Sequence, residues 1–187
     1  MNRISSSGEA WSEATELAPG AFRVRLGGVF RGAWLAGLSS RLAEQQISID
    51  HVHARVSGED AWVAELHLLA LPGAGDPLSV DYSAIAGAAE PGSASEFTIE
   101  SYRLLESRAY GGSLMLTLEA ADSLGLLGSL LGALAQLALF PVELHIETKD
   151  GRAYDSLWLA APDGRPPSAA ARDAAAQLLD HSQARTA

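Results

Sequence analysis

Two stretches of this chain place a large apolar residue at every second position, and each leads through a glycine-containing turn into a leucine-rich segment. In the first, Phe22, Val24 and Leu26 alternate with Arg23 and Arg25. In the second, Leu114, Leu116 and Leu118 alternate with Ser113, Met115, Thr117 and Glu119. A period of two is the mark of a half-buried strand. After the first strand, Leu35, Leu38 and Leu42 recur at helical spacing between Ala33 and Gln45. Extended patterns follow at Ile47–Val56 and at Trp62–Leu69, joined by the turn Ser57-Gly58-Glu59-Asp60. Ser79–Ala89 then reads as a helix. The second half repeats this order. A turn at Asp122–Gly125 opens a leucine-rich helix, Val142–Thr148 and Ala153–Ala160 read as strands around Asp150-Gly151, and Ser168 caps a helix over Ala169–Asp180. Gly32 and Gly125 stand 93 residues apart, as do Ile49 and Val142. Equal spacing predicts a duplicated unit.

The expected fold class is α+β: two tandem ferredoxin-like units of βαββα(β) order, with antiparallel sheets carrying helices on one face. The expected domains are a flexible N-terminal segment over residues 1–20, a first unit over 21–100 and a second over 101–187. The second unit lacks a closing strand. Tyr102–Tyr110 can supply one ahead of it, with Gly111-Gly112 as a two-residue hairpin turn. Leu124–Val142 carries no charge, which raises a transmembrane reading. Ser129, Gln136, three glycines and Pro141 interrupt it, and it reads better as a core helix running into a strand.

Composition narrows the function classes. The chain has 187 residues and a net charge of −10, which repels nucleic-acid phosphates. It has no cysteine, which excludes thiolate metal sites and a cysteine nucleophile and fits a reducing compartment. Met1–Gly20 has no apolar core of signal-peptide length. These features predict a cytoplasmic protein with no nucleic-acid or membrane partner. No dinucleotide, P-loop, nucleophile-elbow or zincin motif occurs, and no cofactor is expected.

The residues of the second half resemble an ACT domain, a small amino-acid-sensing module. Asp122-Ser123-Leu124-Gly125-Leu126-Leu127 matches the family's Asp-Arg-Pro-Gly-Leu-Leu loop at its Asp, its Gly and both Leu. Asp150–Asp155 followed by Leu157-Trp158-Leu159 fits the family's middle strands. In the first half Gly32 is kept, while Val29 stands where the Asp would be. The resemblance implies a small ligand, often an amino acid, at the loop between the first strand and first helix. The implied lining is Gly32, Asp122, Ser123 and Gly125. It also implies regulation of a protein partner and a homodimer. The chemistry is sound on its own terms: a helix N-terminus offers free N–H groups to a carboxylate, and Asp122 can take an ammonium. The simpler alternative is that Asp122 and Ser123 cap the helix and the glycines serve tight turns.

A second reading concerns the sheet face that the helices leave open. A hairpin loop of Gly58-Glu59-Asp60 sets His51 opposite His67 and His53 opposite Glu65, so four potential ligands share one patch. His with carboxylate suits metal binding or proton transfer near neutral pH. Glu143, His145 and Glu147 lie on one face of a strand in the second half, and Tyr154, Ser156 and Trp158 on one face of the next. If the two open faces pack on each other or on a second chain, His51, His53, Glu65, His67, His145, Tyr154 and Trp158 line a chamber. Such a chamber resembles those of dimeric α+β barrel enzymes and suits a cyclase, isomerase or oxygenase. The plainer alternative is a dimer interface.

Overall fold

The computed structural model describes residues 9–57, 61–88 and 96–183. One antiparallel sheet of eight strands runs through it. The strands are β1 (Trp11–Ala18), β2 (Ala21–Val29), β3 (Ile47–Ser57), β4 (Ala61–Ala70), β5 (Ser101–Ser107), β6 (Ser113–Ala121), β7 (Phe140–Lys149) and β8 (Arg152–Ala160). Their order across the sheet is β1-β2-β4-β3-β7-β8-β6-β5. The helices are α1 (Trp34–Glu44), α2 (Tyr82–Ala88), α3 (Leu126–Gln136) and α4 (Ala169–Ser182). The order strand, strand, helix, strand, strand, helix thus occurs twice. The halves join edge to edge where β3 pairs with β7, and α1 packs against α3 above that seam.

The alternation seen in the sequence decides which side chains enter the core. Val24, Leu26, Val52, Ala54, Leu66 and Leu68 of one half are buried with Leu116, Leu118, Leu144, Ile146, Leu157 and Leu159 of the other, against Trp34, Leu38, Leu42, Leu130 and Leu134 of α1 and α3. Each fully buried Leu of this kind stabilises the fold by roughly 1.5–3 kcal/mol through loss of apolar contact with water. α1 and α3 end alike. Gln46 and Ala138 both take left-handed backbone, with φ of 58° and 55°. After α3, Ala138 N–H donates to Ala135 and Leu139 N–H to Leu134, which satisfies carbonyls that the helix end would strand. At α4 the Ser168 Oγ accepts from Ala171 N–H at 3.1 Å, as its N-cap position predicts.

Several expectations change. Trp11–Ala18 lay within the segment read as a flexible N-terminus, yet it forms edge strand β1, paired with β2 through the turn at Pro19-Gly20. The expected hairpin at Gly111-Gly112 is not a two-residue turn. β5 stops at Ser107, a short 3-10 turn occupies Ala109–Gly111, and Tyr110, Gly111 and Gly112 all have positive φ. The two open faces do not pack on each other. They form one continuous surface, so no chamber closes within a single chain. The matching spacing between halves is also 92 residues, not 93. Trp34 and Leu126 begin the helices, Gln46 and Ala138 end them, and Asp50 and Val142 fall at the register shifts of β3 and β7. No helix among the described residues is long and apolar enough to cross a membrane. The uncharged run is divided between α3 and the start of β7.

Candidate functional site

The loop between β6 and α3 closes one end of a small cavity. Its walls come from Ser39 and Ala43 of α1, Ile47–Ile49 of β3, Asp122–Gly128, and Ile146, Thr148, Ala153 and Asp155 of β7 and β8. The enclosed space is about 30 Å³, room for one ammonium-sized or water-sized group. It lies within about 410 Å³ of concavity counted out to open solvent. Gly125 makes the loop possible: its φ is 89°, a left-handed value that any side chain would strain. It is also the N-cap position of α3, and no side chain caps that helix; Leu126 N–H donates to the Ser123 carbonyl, and the first-turn N–H groups after it keep donor capacity to offer.

Two polar groups inside this cavity have no partner. Ser39 and Asp155 are both 3% exposed. Ser39 Oγ and Asp155 Oδ1 find no hydrogen bond among the described residues. Burial pushes the Asp155 carboxyl up to about 7, and the negative charge of Asp122 adds to the effect. Asp122 stands at the exposed rim. Partial burial of its carboxylate and the neighbouring Asp50 hold it above the ordinary carboxylate range, against a lowering contact from the Ser123 backbone. The cavity therefore has acidic groups on its wall and rim and leaves a buried carboxylate oxygen without a donor. A cationic donor group, such as an ammonium, complements it.

Of the residues expected to line the ligand site, Asp122, Ser123 and Gly125 come together here. Gly32 does not join them. It lines a separate concavity of about 600 Å³ with Phe30, Trp62, Tyr110 and Phe140. A Cβ on Gly32 would stand 2.7 Å from the Phe140 ring, so that glycine makes room for an aromatic side chain. Sequence reasoning missed Asp155 and Ser39. The signal for Asp155 was present: it occupies an inward position between Ala153 and Leu157 on an alternating strand.

The open sheet face carries the histidines. β3 and β4 pair in the register expected, with His51 opposite His67 and His53 opposite Glu65. The hairpin loop itself, Gly58–Asp60, lies outside the described residues. His51 and His67 rings stand 5.5 Å apart, and Glu65 faces His67 at 3.4 Å and Arg25 at 3.8 Å. The set His51, His53, Glu65 and His67 does not gather its ligand atoms at one point. Among the described residues, the group whose donor atoms all lie within 4.8 Å of one another is His53, Glu143 and His145. His53 sits directly opposite His145 across the β3–β7 seam, and their rings stack at 4.4 Å. Glu143 Oε1 lies 2.9 Å from His145 Nε2 and 3.8 Å from His53 Nε2. The Tyr110 hydroxyl donates to the other carboxylate oxygen, Oε2. Burial works to raise the Glu143 carboxyl. The Tyr110 and His145 hydrogen bonds and the two imidazoles outweigh it, and the net shift is downward. Tyr110 is pushed up to about 12 by burial and by Glu143, with Arg55 opposing. Trp158 closes one side, its ring centroid 5.6 Å from that of His145. Tyr154 lies on the same face and is 40% exposed.

No family model matches the chain, and no curated protein matches it. Among solved structures it is similar to the aspartate kinase from Synechocystis, with a TM-score of 0.40 and 13% identity; the match covers 76% of this chain and 24% of that one.

Proposed function

We propose that this chain is a regulatory protein of tandem ACT-like, ferredoxin-like build. It binds a small metabolite bearing an amino group, an amino acid first, in the cavity under the β6–α3 loop. The plan of two such modules resembles that of the glycine cleavage system transcriptional repressor, and the loop Asp122–Leu127 is the part of the sequence that carries the likeness. The observation on which the reading rests is the pair of buried unpartnered groups, Asp155 Oδ1 and Ser39 Oγ, facing one cavity. A buried polar atom without a partner costs about 1–3 kcal/mol, and more when charged. An ammonium there hydrogen-bonds both groups and neutralises Asp155, while the ligand's carboxylate meets the uncapped first turn of α3. The cavity walls belong to both halves: Ser39 and Ile47–Ile49 to the first, and Asp122–Gly128 and Asp155 to the second. A ligand held there favours one arrangement of α1 against α3. That differential affinity is what a protein partner, or a second copy of the chain in a homodimer, reads.

Thermal melting against the standard amino acids and simple amines tests the reading. A ligand at a hundred times its Kd adds about 2.7 kcal/mol, and for a chain of this length each kcal/mol raises Tm by roughly 2–4 °C. The shift disappears in Asp155→Asn and Asp122→Asn. Absence of stabilisation by any amino acid or amine at millimolar concentration sinks the proposal and leaves a cavity that holds only water.

A further inference from the structure

We propose that His53, Glu143 and His145 bind a divalent transition-metal ion, Zn²⁺ foremost, on the open face of the sheet. The site is independent of the cavity under the β6–α3 loop, which opens on the helix side.

Two imidazole nitrogens and one carboxylate oxygen are a common ligand set for Zn²⁺ and for Fe²⁺, whereas Mg²⁺ and Ca²⁺ prefer all-oxygen sites. Ligand bonds of about 2.0–2.1 Å in a tetrahedron place donor atoms roughly 3.3 Å apart. The observed separations from Glu143 Oε1, 2.9 Å to His145 and 3.8 Å to His53, bracket that value. Closing the set requires the two imidazoles, stacked with 17° between their planes, to turn so that both Nε2 atoms point at one ion. The backbone is held by the innermost strand pair of the sheet, where His53 and His145 are direct partners. Glu143 and His145 stand two apart in regular register on β7, so strand alternation puts both on the open face.

The surroundings suit a metal as well as the ligands do. Metal-bound carboxylates are usually steadied by a hydrogen bond to the oxygen that faces away, and Tyr110 supplies one to Glu143 Oε2. Glu143 side-chain exposure is 14%, while the two histidines are 45% and 44% exposed. One side of the set therefore faces solvent, which leaves coordination positions for water or a small ligand. The net charge of −10 favours a cation anywhere on this surface, but among the described residues three donor side chains converge only here.

Chelator-stripped full-length chain is titrated with Zn²⁺ by calorimetry and with Co²⁺ by visible absorption. The expected result is saturable uptake of one ion per chain, with the ligand-field bands of low-coordinate Co²⁺. His145→Ala and Glu143→Gln each weaken binding by more than about tenfold, and Tyr110→Phe weakens it roughly 10- to 100-fold. His51→Ala and His67→Ala leave it unchanged, which separates this set from the neighbouring histidines. All these side chains lie on the open face, and circular dichroism verifies that the variants fold. Asp155→Asn also leaves metal uptake unchanged, so failure of the amino-acid reading is visible separately. Absence of saturable uptake at micromolar Zn²⁺, or uptake that survives both His145→Ala and Glu143→Gln, overturns the proposal and reduces the cluster to a hydrogen-bonded network.

Discussion

Asp155→Asn is the most informative single change, because its effect on stability depends on pH in a known direction. The Asp155 carboxyl is pushed from an ordinary value of 3.8 to about 7 by burial and by Asp122. The native state therefore holds this proton more tightly than the unfolded chain does. Below about pH 4 both states are protonated and the side chain carries no electrostatic penalty. As pH rises toward 7, the unfolded chain loses the proton first, and stability falls through that window. Above about pH 7 both states are ionised and the full penalty remains. At about 1.4 kcal/mol per pKa unit the penalty is on the order of 4 kcal/mol, an upper bound for a site that water can partly reach. Asn has the same shape and does not titrate. Its amide leaves a buried donor poorly matched, but that cost is constant with pH. The Tm of Asp155→Asn minus that of the natural chain should therefore climb by up to roughly 8–16 °C between about pH 4 and pH 8. Groups that do not interact with Asp155 cancel in this difference; Asp122, whose charge acts on Asp155, does not cancel fully. Parallel melts across that range measure it, and a flat difference would refute both the buried ionisation and the argument for an ammonium ligand that depends on it.

Two further substitutions test the fold. Leu130→Ala removes a fully buried side chain at the centre of α3 and should lower stability by about 2–5 kcal/mol in chemical denaturation, with activity of either site secondary to that loss. Ala138→Gly relieves a left-handed residue at the end of α3 and should raise stability by about 0.5–1 kcal/mol, less than the strain it removes because glycine also loosens the unfolded chain.

The central elements were legible because their signals are local. The leucines at helical spacing marked α1 and α3, and apolar residues at every second position marked β2, β4 and β6. The His51–His67 register follows if Gly58–Asp60 is a three-residue loop, and a two-residue turn would shift it by one. β1 was not legible. It is an edge strand exposed on nearly every residue, so Ser12, Glu13, Thr15 and Glu16 show no apolar alternation to detect. The turn at Gly111-Gly112 misled because glycines allow many turns. The chain uses three consecutive left-handed residues, and these carry Tyr110 to Glu143. Anchoring the repeat on glycines also slipped it by one residue, since Gly32 and Gly125 serve different needs: space for Phe140 in one case, a left-handed φ in the other. His53 and Glu143 belong to different halves, and their meeting depends on the β3–β7 pairing, which no local pattern announces.

With the spacing corrected, the molecule contains its own comparison for the acidic cavity. Asp155 pairs with Ile146 and Leu118. By strand pairing the matching position in the first half is Ala64, which pairs with Ala54 and Leu26; it lies 91 residues earlier because the β3–β4 connection is one residue longer than the β7–β8 turn. Asp122 matches Phe30, and Asp50, at the register shift of β3, matches Val142 at the shift of β7. Asp122 and Asp155 of the second half thus stand where the first half has Phe and Ala, and Asp50 of the first half stands where the second has Val. The fold does not require an acid at any of the three. An inward Asp with an unpartnered oxygen destabilises the chain that carries it, and the apolar alternative already stands in the other half. Both copies, by contrast, place a histidine at the seam itself, where His53 and His145 occupy matching positions and face each other. The helix side of the sheet is where the two halves differ in charge, and the open side is where they converge on a shared pair of ligands. That division is what the two proposals require: a cationic group bound beside Asp122 and Asp155, and an ion held by the paired imidazoles between the halves.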